Sequence, residues 1–223
     1  MANTPVITED NSHTLMSGQF GVTYHSTHGA IQESQHVFID AGLQFIIDKN
    51  TANNHTLNIL EMGFGTGLNA LLTYLYAEKH ALYINYTSIE KYPISESEWK
   101  ALNYCTLLGC PQTLFDTMHQ TTARTSFSEH FTLEVLHSDI QNAALPNNHF
   151  NIIYYDAFAP DDQPELWTTE VFQKLYTCLA TGGVLTTYCA KGQVRRNLQS
   201  AGFTVQRIPG PPFKREMISA LKL

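Results

Sequence analysis

LNILEMGFGTGLNALLTYLYAEKH, residues 57–80, decides the fold. Its first six residues are mostly apolar, as in a strand buried inside a sheet. Gly63, Gly65 and Gly67 follow at alternate positions, and an apolar helical pattern opens directly behind them. Glycines there let the backbone turn sharply and approach a ligand closely, while the helix start offers free N–H groups to a polar or anionic one. A strand, a glycine turn and a helix in this order form the first unit of a nucleotide-binding α/β sheet.

Downstream, short β-branched or aromatic runs alternate with helical patterns, which predicts a parallel sheet. INYTSIE (84–90), FTLEVLH (131–137), FNIIYYD (150–156) and VLTTYC (184–189) read as further strands. ISESEWKALNY and PQTLFDTMHQ read as two helices in a long insertion before residue 131. EVFQKLYTCLA reads as a helix capped by Thr168 or Thr169 and stopped at Gly182–Gly183. A helix over GQVRRNLQSA ends at Gly202, and FTVQRI and EMISALKL then read as two strands joined by PGPPFKR. So short a connection requires antiparallel pairing. The pattern predicts a doubly wound, Rossmann-like α/β fold: a seven-stranded, mostly parallel sheet with a terminal antiparallel hairpin, the arrangement usual in methyltransferases. Residues 1–13 are expected as a flexible arm, 14–55 as an N-terminal cap over one edge of the site, and 56–223 as the Rossmann-like core, with 14–223 one domain.

Of the 223 residues 43% are hydrophobic and 15% charged, enough apolar surface for a sizeable core without disulfides or a structural metal. Cys105, Cys110, Cys178 and Cys189 form no CxxC pair and read as buried free thiols in a reducing compartment. Ten histidines show no metal spacing; His25, His28 and His36 cluster upstream of the first strand, where ordinary surface or core roles are expected. MANTPVITEDNSHT has neither the basic nor the apolar region of a signal peptide, and no apolar run approaches the length of a membrane span. The expectation is a cytoplasmic protein with no membrane and no metal.

A net charge of −7 speaks against a polyanionic partner, yet the charge is unevenly spread. From residue 191 onward there are seven bases and one acid, +6, whereas the other 190 residues carry six bases and nineteen acids, −13. That split suggests either a basic working face on an acidic body or a solvated helix and hairpin.

Acids recur at successive strand ends. Glu90 closes the second strand, about 25 residues beyond the glycines, where such folds bind ribose hydroxyls. Asp139 follows the third, and Asp156 ends the fourth in YYDAFAP, able to hold an amine. Pro160 and Pro164 make the loop behind Asp156 rigid, with Trp167 placed to anchor it. The spacing E-x-G-x-G-x-G differs from the G-x-G-x-x-G of pyrophosphate binders and suits a compact nucleoside carrying an amino acid, as in S-adenosylmethionine, better than NAD.

EMGFGTGLN, IEKYP, DAFAP with PELW, and VRRNLQSAGF with KREM, together with YHSTHGAIQES and HVFI upstream, resemble the methyltransferase domain of the bifunctional tRNA 5-methylaminomethyl-2-thiouridine enzymes. The resemblance runs over about residues 16–223. It implies methylation of the 5-aminomethyl group of the wobble uridine in tRNA, with S-adenosylmethionine as cofactor and the anticodon loop as partner. Glu61, Gly63, Gly65, Gly67, Asn69, Glu90, Asp139 and Asp156 are the candidate cofactor residues; Glu90 would take the ribose, Asp139 lie near adenine, and Asp156 serve the reacting amine as catalytic residue. Lys191, Arg195, Arg196, Lys214 and Arg215 are the candidates for facing tRNA. The bifunctional enzymes also carry a FAD-dependent oxidase domain that makes the aminomethyl substrate. This chain has no room for one, so a stand-alone methyltransferase supplied by a separate enzyme is expected. In PGPPFKREM, Phe213 stands where glycine is expected.

Competing readings are a spermidine-synthase-like aminopropyltransferase, a non-catalytic tRNA-binding module and an NAD-dependent reductase. The basic cluster argues against the first, the intact glycines and acids against the second, and the glycine spacing against the third.

Overall fold

The computed structural model describes residues 2–49 and 56–223. Strands β1 (Thr4–Ile7) and β2 (His13–Met16) pair as an antiparallel ribbon. Eight more, β3 (Leu57–Met62), β4 (Ile84–Ile89), β5 (Thr125–Ser126), β6 (Phe131–Leu136), β7 (Phe150–Tyr155), β8 (Leu179–Thr187), β9 (Thr204–Pro209) and β10 (Glu216–Leu221), make one sheet in the order β5-β6-β4-β3-β7-β8-β10-β9. The strands from β6 to β8 run parallel, and the β9–β10 hairpin pairs antiparallel at one edge. The expected seven strands are therefore present with an eighth, the two-residue β5, too short for its alternation to be read.

Alternation along the strands sorts side chains onto two faces. Ile59, Ile152, Tyr154 and Met217 join the core beneath the helices Ala30–Lys49 and Leu68–His80. Leu60, Ile153, Tyr155 and Ile218 join that beneath Thr169–Cys178 and Gly192–Ser200. The Ala30–Lys49 segment is widened to a π-helix over Gln35–Gln44 and meets the sheet closely at Gly42, where a Cβ would lie 3.0 Å from the Tyr154 ring. From β3 the chain winds outward through β4 to β6, then returns across β3 to β7. The order reverses between β3 and β7, the point at which open α/β sheets form a ligand crevice.

Three local expectations change. Residues 2–13, expected as a flexible arm, are built into the ribbon: the Asp10 carboxylate accepts from Thr8 Oγ1, Ser12 N and Gln32 N, and Thr8 and Ser12 are buried. The helix expected across ISESEWKALNY is split into Glu96–Lys100, with a Ser95–Glu98 capping box, and Tyr104–Leu108. Asn103 breaks it because its side chain is bonded to the ribbon, accepting from His13 N and donating to Asn11 O, each at 2.8 Å. The helix after Thr168 stops at Cys178 rather than at the glycine pair, because Leu179 is already extended and paired with Phe150. Gly182–Gly183 instead lies inside β8, beside a register shift between Phe150 and Ile152. Residues 50–55, part of the expected cap, lie outside the described residues.

A Cβ on Gly183 would come within 2.8 Å of Asn151 O and 2.9 Å of Ala180 O, both backbone atoms that cannot yield. Gly183→Ala is accordingly expected to cost about 1–3 kcal/mol of stability in a denaturant titration. An unchanged midpoint would remove the glycine from its structural role.

Candidate active site

The glycine turn closes against two neighbouring strand ends. Gly63, with φ 90°, donates its N–H to Ile89 O at 3.0 Å, and a Cβ on it would lie 2.9 Å from Asp156 O. No side chain fits there, so the ends of β3 and β7 meet through bare backbone. Gly65 N donates to Glu90 Oε2 at 2.8 Å and Tyr92 N to Glu90 Oε1 at 2.7 Å, which fixes the Glu90 carboxylate while leaving each oxygen a second lone pair. Gly67 sits at the start of the helix Leu68–His80, with His119 packed against it.

These elements bound a cavity of about 470 Å³, a size usual for small-molecule sites. Gly63, Gly65, Glu90, Asp139 and Asp156 line it, together with Glu98, Glu165 and Lys91. Five carboxyl groups against one lysine make it an attractive place for a cation. Lys91 pairs with Asp139 at 2.5 Å and holds that carboxyl below its usual range. Glu61, Gly67 and Asn69 are not among the lining residues. Glu61 is 0% exposed and Asn69 buried, so both stand behind the wall rather than in it.

That second layer is organised around Asp156. Asn69 Nδ2 donates to Asp156 Oδ2 at 2.8 Å, and Ser88 Oγ donates to Glu61 Oε2 at 2.8 Å. Burial pushes the Asp156 carboxyl up to about 7 against the opposing Asn69 hydrogen bond. Burial pushes Glu61 further, to about 8, with the Asp156 charge adding to the effect. At neutral pH Glu61 is thus mostly a neutral acid, while Asp156 stands near the midpoint of its titration.

Two histidines hold the turn in place: His25, expected in an ordinary surface or core role, and His119, which sequence reasoning missed. His25 Nε2 bonds Thr66 Oγ1 at 2.7 Å, and His119 Nε2 donates to Thr66 O at 3.1 Å; burial lowers each imidazole to about 4 and keeps it neutral. They come from 41 residues before and 53 residues after Thr66, so no local spacing marks them. The cavity lining includes an aromatic group that was missed too: Phe158 packs against Phe20 at 4.7 Å and Tyr24 at 4.8 Å. Trp167 anchors the loop as expected, its Nε1 donating to Phe158 O at 2.7 Å.

The five candidate RNA-facing bases divide. Lys191, Lys214 and Arg215 border one shallow groove with Tyr188, Ala190 and Glu216, while Arg195 and Arg196 lie on the helix Gly192–Ser200 outside it. Lys191 pairs with Asp161 at 2.5 Å, and Arg196 donates to Gln193. Lys214 turns inward to the buried Glu33, its ammonium 4.5 Å from the Tyr188 ring centre.

A family model described as S-adenosyl-L-methionine-dependent methyltransferase matches residues 110–223. The chain belongs to that family. This methyltransferase is 33% identical over 216 residues to the tRNA 5-methylaminomethyl-2-thiouridine biosynthesis bifunctional protein MnmC of Pseudomonas putida (strain W619), covering 91% of this chain and 32% of that protein. The protein of the same name from Leptospira interrogans serovar copenhageni is 30% identical over 224 residues, covering 96% and 34%. The chain therefore spans about a third of the length of these curated relatives. Among solved structures, MNMC2 from Aquifex aeolicus superposes with a TM-score of 0.78 at 25% identity, over 99% of this chain and 70% of that one. Spermidine synthase from Thermotoga maritima, at TM-score 0.56 and 12% identity over 99% and 72%, shares the fold.

The site fits the methyl donor. The acidic lining suits a sulfonium cation, and the immobilised Glu90 carboxylate keeps lone pairs for ribose hydroxyls. No helix among the described residues is long and apolar enough to cross a membrane.

A Glu61 carboxyl raised from 4.5 to about 8 means that the folded protein holds a proton the unfolded chain releases. The stability it contributes is full below about pH 4.5 and lost as pH rises through about 8. Thermal melts from pH 5 to pH 9 should show wild type losing several degrees more than Glu61→Gln, which cannot ionise. Parallel curves would mean that Glu61 is not protonated in the fold.

Proposed function

We propose that this methyltransferase acts on tRNA, methylating the 5-aminomethyl group of the wobble uridine to give 5-methylaminomethyl-2-thiouridine. The observation that carries the reading is the 33% identity to an MnmC protein along 91% of this chain. The 12% identity to spermidine synthase supports no more than a common architecture, which leaves aminopropyl transfer the weaker alternative. Glu61, Gly67 and Asn69 then support the cofactor site from behind, and Gly63, Gly65, Glu90 and Asp139 border it.

S-adenosylmethionine supplies a methyl group already activated by its sulfonium, so the protein has mainly to position a neutral amine and accept a proton. An alkylammonium has a reference pKa of about 10 and is neutral in only about one molecule in a thousand at pH 7. Asp156 answers both needs. Its carboxylate, raised to about 7, is a stronger base than an exposed aspartate, and the Asn69 amide holds one oxygen so that the other remains for the amine. Burial around Asp156 also disfavours the ammonium form, which offsets the carboxylate's attraction for it. The bases at the groove would meet the RNA backbone, steering it away from the acidic body. A separate enzyme would supply the aminomethyl group.

Nucleoside mass spectrometry of hypomodified tRNA incubated with the protein and S-adenosylmethionine should show a gain of one methyl at the wobble uridine. Asp156→Asn should lower turnover by about a hundredfold or more with much less effect on cofactor affinity. Wild-type kcat/KM should rise as pH passes through about 7 and Asp156 ionises. Near-normal turnover in the variant would make Asp156 structural, and unmodified tRNA after incubation with wild type would overturn the substrate.

A further inference from the structure

Phe213 is a bulky residue in a place built for glycine. It has φ 68° and occupies the third position of the turn Pro211–Lys214, closed by Lys214 N donating to Pro211 O at 2.9 Å. A left-handed third turn position is a glycine position, and a side chain there is strained. Burial does not offset that strain, because Phe213 is 72% exposed. One ring face is stacked on His28, with centroids 4.2 Å apart and planes 24° from parallel, and His28 is itself held by Glu9 at 2.9 Å. The fold thus spends conformational strain to hold an aromatic ring in solvent. Strain of this kind points to function.

We propose that Phe213, backed by His28, is a stacking platform for an unpaired nucleobase of the RNA acceptor, beside the nucleotide that enters the active site. This rests on the tRNA reading above. The two residues that follow Phe213, Lys214 and Arg215, border the groove with Tyr188 and Lys191. Arg215 is exposed and, among the described residues, forms no ion pair, so it is available to a phosphate. Tyr188 lies under the Lys214 ammonium and donates its hydroxyl to Ala157 O at 2.9 Å, one residue from Asp156. Aromatic surface next to a free cation, here Arg215, is the arrangement that binds single-stranded nucleic acid, because every base has a face to stack and every nucleotide a phosphate to pair. The −13 balance of residues 1–190 leaves few other approaches for a polyanion. Extruding the target base unstacks its neighbour, and an aromatic face restores what that neighbour loses.

Phe213→Gly separates the two effects, since glycine relieves the turn and removes the ring. Its melting temperature should equal or exceed that of wild type, while affinity for an anticodon stem-loop RNA falls about tenfold and KM for the RNA rises in parallel. Phe213→Trp should keep wild-type affinity. Stem-loops carrying 2-aminopurine at each loop position next to the target uridine should include one that wild type and Phe213→Trp quench and Phe213→Gly does not. Wild-type RNA affinity, KM and quenching in Phe213→Gly would overturn the platform while leaving the tRNA reading intact. A wild-type protein that neither binds nor methylates the stem-loop would overturn the tRNA reading and the platform with it.

Discussion

The backbone contact between Gly63 and Asp156 is the constraint on which the active site depends. A Cβ on Gly63 would stand 2.9 Å from Asp156 O, so the ends of β3 and β7 can lie this close only because residue 63 has no side chain. Asp156 N donates to Met62 O at 3.1 Å across the same junction, and Gly63 N reaches over to Ile89 on β4. Three strand ends are thereby locked together, each delivering part of the site: the glycine turn from β3, Glu90 from β4 and Asp156 from β7. The strand order reverses at this point, which leaves a crevice beyond it.

Electrostatics at the junction are set by burial more than by pairing. Asp156 is subject to four influences: burial and Glu33 raise its pKa, while the Asn69 hydrogen bond and Lys214 lower it, and burial prevails. The result is a carboxyl that changes charge near neutrality, which suits the proton-accepting role proposed for it. Glu61 behind it ionises at a higher pH, so the second layer adds little negative charge at pH 7. Neutral His25 and His119 brace Thr66 likewise without bringing a full positive charge to a place meant for a cationic ligand.

The parallel sheet was legible because buried strands such as FNIIYYD have few readings other than strand, and the glycine turn because it stands between a strand and a helix. Elements depending on distant partners were not. Asn103 splits a helix through bonds to residues 11 and 13, and the part of the ribbon up to residue 13 is polar enough to read as an arm. Gly182–Gly183 carried an ambiguous signal, since glycine ends helices and also permits strand irregularities. In the site, the strand-end acids Glu90, Asp139 and Asp156 converge on the cavity. The depth of Glu61 and Asn69 could not be read from EMGFGTGLN, because position in a motif does not tell which side chains face the ligand.

The most direct test of the β3–β7 junction is calorimetric titration of S-adenosylhomocysteine into wild type and Gly63→Ala. If the junction forms the site as described, the added methyl forces β3 and β7 apart, and affinity falls by more than about tenfold, a loss exceeding roughly 1.4 kcal/mol. A Gly63→Ala protein that binds with wild-type affinity and enthalpy would contradict the account.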